Sequence, residues 1–152
     1  MRNSKVKGFT LIELIVVIAI IGVLAAILVP SMIGYVGKSK LATANSNAKL
    51  AYTNAATYCT DCEVAGSPCT TSLAKTALAT SGTGGQSYVK DGQHLGDALN
   101  SLMGGGSGAG YVAVNISSAG APTASSWAKG ENDTYVGNYP TESQDKGCAW
   151  CG

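Results

Sequence analysis

The sequence lacks the residue combinations on which most enzyme active sites are built. His94 is the only histidine, and its position at the predicted start of a short helix favours a surface residue over an acid–base catalyst. No Ser/His/Asp set, paired-carboxylate motif or metalloprotease helix is present. The sequence therefore predicts a protein that is not an enzyme and that uses no cofactor.

Nucleic-acid and nucleotide binding are also not expected. The formal net charge is +1, and removing the three basic side chains of the first eight residues changes it to −2. No basic stripe remains elsewhere to contact phosphates. The glycine tract between Gly104 and Gly110 resembles a phosphate-binding loop only in composition, because no Lys-Ser or Lys-Thr follows it.

Apolar residues are concentrated near the amino terminus. Residues 14–29 contain no polar side chain, and residues 9–29 would form about 32 Å of helix, enough to cross a hydrocarbon core of about 30 Å. Arg2, Lys5 and Lys7 precede this segment, and the next basic residue is Lys38. The charge bias predicts a cytoplasmic amino terminus and an exported remainder.

Glu13 distinguishes this segment from an ordinary signal peptide and from a plain membrane anchor. An ordinary signal peptide cut near Ala25 or Ala26 would discard Glu13, and a plain membrane anchor has no use for it. A carboxylate at the centre of a membrane helix costs about 2.5–3.5 kcal/mol. The acidic residue therefore calls for a specific role.

The run Lys7-Gly8-Phe9-Thr10-Leu11-Ile12-Glu13 resembles the processing signature of type IV pilins and the related pseudopilins. The resemblance covers residues 7–35. It implies that a prepilin peptidase cuts between Gly8 and Phe9 and that the new Phe9 amine is methylated. Glycine suits the position before the cut, because it lets a protease approach closely.

This resemblance also implies a domain organisation. Residues 1–8 would be a cleaved leader, residues 9–30 a transmembrane and filament-core helix, and residues 31–152 a pilin-like head that includes the second half of the long helix. Glu13 would pair with the Phe9 amine of a neighbouring subunit and set register. Gly22 and Pro30 are expected to interrupt the helix, either as a soft point during packing or as a harmless kink.

The rest of the chain predicts an α+β fold. The long helix should continue to about Tyr58, because apolar residues recur at spacings of three and four along one narrow face: Leu41, Ala44, Ala48, Ala51, Ala55 and Tyr58. Short helices are predicted at residues 72–79 and 95–103. About three antiparallel strands, at residues 111–116, around Trp127 and at residues 134–136, should pack on the alanine face, with turns at residues 119–122 and 130–133.

Five cysteines lie near the two ends of the head: Cys59, Cys62, Cys69, Cys148 and Cys151. Export makes disulfides the default expectation, although the sequence does not fix their connectivity. Bridges between the first three and the last two would close a loop of about 80–90 residues and contribute about 4–5 kcal/mol. A zinc site formed by Cys59, Cys62, Cys148 and Cys151 is the alternative, and a redox dithiol is less favoured.

The function implied by the resemblance is a structural subunit of a type IV pilus-like filament. The subunit would be held in the cytoplasmic membrane as a precursor and become extracellular after assembly. Its partners would be further copies of itself, the prepilin peptidase and the membrane assembly machinery. A pseudopilin of a type II secretion or DNA-uptake machine is the alternative. A membrane-tethered metal or redox module, which is a different class of protein, is the less favoured third possibility.

Overall fold

The computed structural model describes residues 8–69, 72–77, 94–104 and 109–151. Outside the described residues lie residues 1–7 of the predicted leader (residues 1–8), the end of the first predicted short helix at residues 78–79 and the glycines at residues 105–106. Two compact units are distinguished, Met1–Gly37 and Lys38–Gly152. They are called the amino-terminal unit and the carboxyl-terminal unit.

Helix α1 spans Leu11–Val64, as the apolar periodicity predicted, and extends six residues beyond Tyr58. The helix continues through Gly22 and Pro30, so neither residue interrupts it, contrary to expectation. Within the carboxyl-terminal unit, the six face residues predicted from the sequence are all buried. Cys59 and Cys62 extend the same buried face by one turn.

The carboxyl end of α1 is closed by a Schellman motif. The amide of Ser67 donates to the carbonyl of Cys62 (3.1 Å), and the amide of Gly66 donates to the carbonyl of Glu63 (2.9 Å). Gly66 has a φ of 80°, a left-handed conformation that glycine adopts without steric cost. The chain consequently reverses direction and returns towards α1 at Cys69.

A four-stranded antiparallel sheet follows, with strand order β1-β2-β3-β4. The strands are β1 (Leu73–Ala77), β2 (Tyr111–Ile116), β3 (Pro122–Ala128) and β4 (Gly137–Tyr139). Helix α2 (Leu95–Leu102) lies between β1 and β2 in the chain. The predicted α+β class is confirmed, with one strand more than the three expected.

Strand β1 replaces a predicted helix. Its sequence, Leu-Ala-Lys-Thr-Ala, is rich in good helix formers, but Leu73 pairs with Val114 of β2 and is fully buried. Ser72, the first residue of the predicted helix, accepts a hydrogen bond from the Ile116 amide at 2.9 Å. Pairing with a neighbouring strand therefore overrides local propensity.

The other predicted elements differ mainly at their ends. The turn before β3 hydrogen-bonds Ser117 to Ala121, so Pro122 begins the strand instead of belonging to the turn. The last strand starts at Gly137, immediately after the predicted residues 134–136. In α2, Leu95, Ala98 and Leu99 are buried as expected, whereas Leu102 is exposed.

One face of the sheet packs on α1. Val112 and Val114 of β2 share a hydrophobic cluster with Ala51 and Ala55 of the helix, and Trp127 of β3 packs on Ala44 and Ala48. Because side chains alternate along a strand, Ala113 and Ser126, which are paired across β2 and β3, point to the outer face.

The outer face is covered by the last described residues. The Cys151 amide donates to Ser126 Oγ at 2.7 Å, and Asn138 Nδ2 donates to the Ala149 carbonyl at 3.1 Å. Ala113 is accordingly buried, with 1% of its surface exposed. The sheet is therefore covered by α1 on one face and by residues 149–151 on the other.

Candidate functional site

The amino-terminal unit exposes nearly all of its apolar surface. Every described residue of this unit is exposed except Gly37; Phe9 is 81% and Ile33 70% exposed. Within residues 8–37 the only charged side chain is that of Glu13. The helix is long and apolar enough to cross a membrane, and no residue of its most apolar stretch is buried. An apolar surface of this extent calls for lipid or protein to cover it.

Glu13 is bound within its own chain. Glu13 Oε2 accepts hydrogen bonds from the Thr10 amide at 2.8 Å and from Thr10 Oγ1 at 2.6 Å. The Glu13 amide in turn approaches Thr10 Oγ1 at 3.4 Å. This is a capping box, in which a threonine and the glutamate three residues later satisfy amides of the first helical turn.

Thr10 is thus a site residue that the sequence analysis missed. The signal was present, because Thr-x-x-Glu before an apolar run is the sequence signature of a capping box. In a single subunit the Glu13 carboxylate already accepts hydrogen bonds from two donors, so it needs no neighbouring chain to supply one. Any pairing of Glu13 with a second chain would add to these bonds or replace them.

Gly8 and Phe9 precede the helix and are exposed. A Cβ atom added at Gly8 would meet nothing within 4 Å, so the structure leaves open space around this residue. Cleavage after Gly8 and methylation of Phe9 stay predictions. Gly22 likewise has open space around it, inside α1, and the assembly roles of Gly22 and Pro30 also stay predictions.

The five cysteines form two separate groups. Cys59, Cys62 and Cys69 belong to the hydrophobic cluster between α1 and the sheet. Cys151 lies on the outer face, where its Sγ is 3.6 Å from the Ala113 carbonyl, and Cys148 Sγ donates to the Asp145 carbonyl at 3.1 Å. The structure therefore does not bring together Cys59, Cys62, Cys148 and Cys151, the four candidate zinc ligands.

The described residues contain no cluster of three or more His, Cys, Asp or Glu side chains arranged to hold a metal ion. Burial raises the pKa of the Cys59 thiol to about 12, assisted by the neighbouring Cys69 and Cys62 sulfurs. Burial also raises the pKa of Cys151. Such thiols are protonated at neutral pH and are poor nucleophiles, so the geometry gives little support to a redox module.

His94 is partly buried and not a freely exposed surface residue. It occupies the N-cap position of α2 without making a side-chain capping bond. Its Nδ1 is buried and lacks a partner within the described part of the chain.

Two further residues fix α1 to the sheet and were not singled out from the sequence. Asn45 Oδ1 accepts from the amides of Asn138 (3.1 Å) and Ser143 (3.2 Å), while its Nδ2 donates to the Ser143 carbonyl (2.9 Å). Gly137 lies against the backbone of Ala44 so closely that a Cβ atom would be 2.0 Å from the Ala44 carbonyl carbon. Both contacts depend on tertiary placement.

The structure combines an apolar amino-terminal helical segment with an amphipathic stretch of the same helix packed on an antiparallel sheet, which is a pilin-like α+β fold. Comparison with protein families agrees. Residues 3–29 match the family model described as the prokaryotic N-terminal methylation motif. This motif is what the amino-terminal part of the chain is similar to.

Several named relatives are similar to part of the chain. PilA, the type IV major pilin protein of Myxococcus xanthus, is 51% identical over 51 residues, which is 34% of this chain and 23% of PilA. FimA, a type IV major fimbrial protein of Dichelobacter nodosus, is 54% identical over 39 residues, covering 26% of this chain and 25% of FimA. The type IV major alpha-pilin of Moraxella bovis is 65% identical over 34 residues, covering 22% and 21%.

The chain therefore spans about a quarter of the length of the curated relatives it matches. No solved structure gives a significant match. The three alignments cover between 22% and 34% of this chain. By name, these relatives are pilin and fimbrial proteins.

Proposed function

We propose that this chain is the structural subunit of a type IV pilus-like extracellular filament. The observation that carries the proposal is the exposure of the whole apolar half of α1 beside a single acidic residue. Lipid covers this surface in the precursor, and the same helices of neighbouring subunits cover it in the filament. The named pilin and fimbrial relatives favour a pilus over a secretion or DNA-uptake machine.

In this proposal the subunit passes from membrane to filament without refolding its carboxyl-terminal unit. The basic leader keeps the amino terminus cytoplasmic, and a prepilin peptidase cuts the exposed Gly8–Phe9 bond and leaves a methylated Phe9 amine. That amine is a cation close to Glu13. In the apolar filament core, the Phe9 ammonium of one subunit pairs with the Glu13 carboxylate of the next and fixes the axial register.

Maturation is tested by measuring the intact mass of the subunit recovered from sheared cell surfaces. The expected mass corresponds to a chain that begins at Phe9 with one added methyl group. A mature chain that still contains Met1, or one that begins near Ala26, would contradict the proposal. Membrane-bound precursor from cells lacking the peptidase provides the reference mass.

Substitution of Glu13 tests assembly. Glu13→Val removes both the charge and the capping acceptor, whereas Glu13→Gln removes the charge and keeps an acceptor for the capping box. Breaking a buried ion pair costs about 3–5 kcal/mol, so we expect both variants to lower the sheared-filament fraction more than about tenfold, with processed subunit accumulating in the membrane.

Glu13→Gln is the decisive member of the pair. If the carboxylate serves only as a helix cap, Glu13→Gln should assemble as well as the unaltered protein and only Glu13→Val should be impaired. If the segment is a plain anchor, both variants should insert at least as well and nothing else should change. Normal filament yield from Glu13→Gln would therefore refute the ion-pair mechanism.

A further inference from the structure

Three cysteines converge at the carboxyl end of α1. Cys59 and Cys62 are one turn apart on the buried helix face, and the Schellman turn at Gly66 brings Cys69 back into the same cluster. Only 3%, 0% and 1% of their respective surfaces are exposed. Three sulfur atoms therefore share one solvent-free region.

One pair within this cluster is in direct side-chain contact. The side chains of Cys59 and Cys69 are hydrogen-bonded to each other, so their sulfurs are already adjacent. Cys59 and Cys62 both lie in regular helix, where residues three apart have Cβ atoms about 5–6 Å apart, beyond the 3.5–4.5 Å of a disulfide.

Cys151 is on the opposite face of the sheet from these residues. Cys151 contacts the outer-face backbone at Ala113, whereas Cys59 and Cys69 lie in the layer between α1 and the inner face. A bridge from Cys151 to either residue would have to pass through β2 and β3. Local pairing requires no such rearrangement.

We infer that Cys59 and Cys69 form a disulfide that locks the turn after α1, and that Cys62 keeps its thiol in the buried cluster. Each of the two thiols loses its hydrogen as the sulfur–sulfur bond forms. The two protons and two electrons pass to the disulfide of an extracytoplasmic thiol oxidant, which becomes a dithiol. The inference rests on export of the carboxyl-terminal unit, which is part of the proposed function.

Burial sets the time at which this bond forms. The attacking species in thiol–disulfide exchange is the thiolate, and the enclosed Cys59 thiol holds its proton at neutral pH. Oxidation therefore occurs before the core closes around α1. Once the core has closed, the disulfide is shielded from reductants, and the Cys62 thiol is shielded from oxidants and alkylating reagents.

Positions of lysine and aspartate make the connectivity directly measurable. Trypsin cuts after Lys49, Lys75 and Lys146, which places Cys59, Cys62 and Cys69 in peptide 50–75 and the other two cysteines in peptide 147–152. The full chain from sheared filaments or membranes is denatured in an alkylating reagent without reductant and digested with trypsin. The masses of the peptides are then measured by mass spectrometry. We expect peptide 50–75 to carry one alkyl group. Its mass should be two hydrogens below that of the same singly alkylated peptide with its other two cysteines reduced.

A second cut before Asp61 separates Cys59 from the other two. The inferred bond keeps peptide 50–60 joined to peptide 61–75, whereas a bond between Cys62 and Cys69 would release peptide 50–60 with its own alkyl group. Three alkyl groups on peptide 50–75, its release of peptide 50–60, or a link between peptides 50–75 and 147–152 would each overturn the inference.

Matched variants identify the residues. Cys62→Ser should keep the bond and leave peptide 50–75 without an alkyl group, whereas Cys69→Ser should leave two alkylated sulfurs. Failure of this inference is distinguishable from failure of the proposed function. Three alkyl groups in subunits from sheared filaments would overturn the disulfide alone, and a bridged peptide from cells that form no filament would overturn the filament function alone.

Discussion

Gly137→Ala provides a sharp test of the contact between α1 and the sheet. A Cβ atom at this position would lie 2.0 Å from the Ala44 carbonyl carbon, 2.2 Å from its oxygen and 2.2 Å from the Asn45 nitrogen. All three neighbours are backbone atoms, so no side-chain rotation relieves the overlap. Overpacking usually costs about 1–3 kcal/mol, and this geometry places the change at about 3 kcal/mol or more.

Gly130→Ala is the matched control in the same unit. Nothing lies within 4 Å of its added Cβ, and replacing glycine without strain typically stabilises a protein by about 0.4–1 kcal/mol. For a unit of this size, 1 kcal/mol corresponds to about 4 °C in Tm. We therefore expect Gly137→Ala to melt about 12 °C lower than the unaltered chain and Gly130→Ala to melt slightly higher.

The assay is thermal unfolding of the full chain in detergent micelles, followed by the near-ultraviolet circular dichroism of the tryptophans. Trp127 packs on Ala44 and Ala48 at the perturbed contact, so its signal reports the separation of helix and sheet. Melting of Gly137→Ala within about 2 °C of Gly130→Ala would refute the close approach described for this site.

Two further predictions concern Asn45 and Cys59. Asn45→Ala removes three hydrogen bonds to Asn138 and Ser143 and should lower the free energy of unfolding by about 2–4 kcal/mol, whereas the exposed Ser46→Ala should change it by less than about 0.5 kcal/mol; equal denaturant midpoints would contradict this. In the reduced chain, burial raises the pKa of Cys59 from 9.0 to about 12. The unfolded state therefore releases this proton at lower pH, and stability should be complete below pH 9 and fall progressively towards pH 12. Denaturant titrations across this range should show a shallower decline in Cys59→Ser; an unchanged slope would exclude this thiol as a cause.

The helical part of the fold was predictable because it follows from local periodicity. Spacings of three and four placed Leu41, Ala44 and Tyr58 on one face before any partner was known, and that face is buried. Strand β2 was predictable for a similar reason, since its β-branched and aromatic residues favour an extended chain. The capping box of Thr10 and Glu13 was also predictable, because Thr-x-x-Glu before an apolar run is its sequence signature.

Strand β1 and the cysteine grouping depend on contacts between distant residues. Residues 73–77 have helical propensity, and only their pairing with β2 makes them a strand. Cys69 joins Cys59 because of the reversal at Gly66, while residues 149–151 turn onto the far side of the sheet. Sequence spacing contains no information about which face a returning segment will cover, so the connectivity of the cysteines could not be fixed from it.

The backbone contact at Gly137 also has a genetic consequence. Since the atoms that would clash belong to the main chain of Ala44 and Asn45, no substitution at either position removes them. Second-site suppressors of Gly137→Ala should therefore arise where the spacing between the helix and β3 is set, at Trp127 or at Ser125, whose hydroxyl donates to the Ala48 carbonyl. Position 137 must therefore stay glycine for as long as that spacing is preserved.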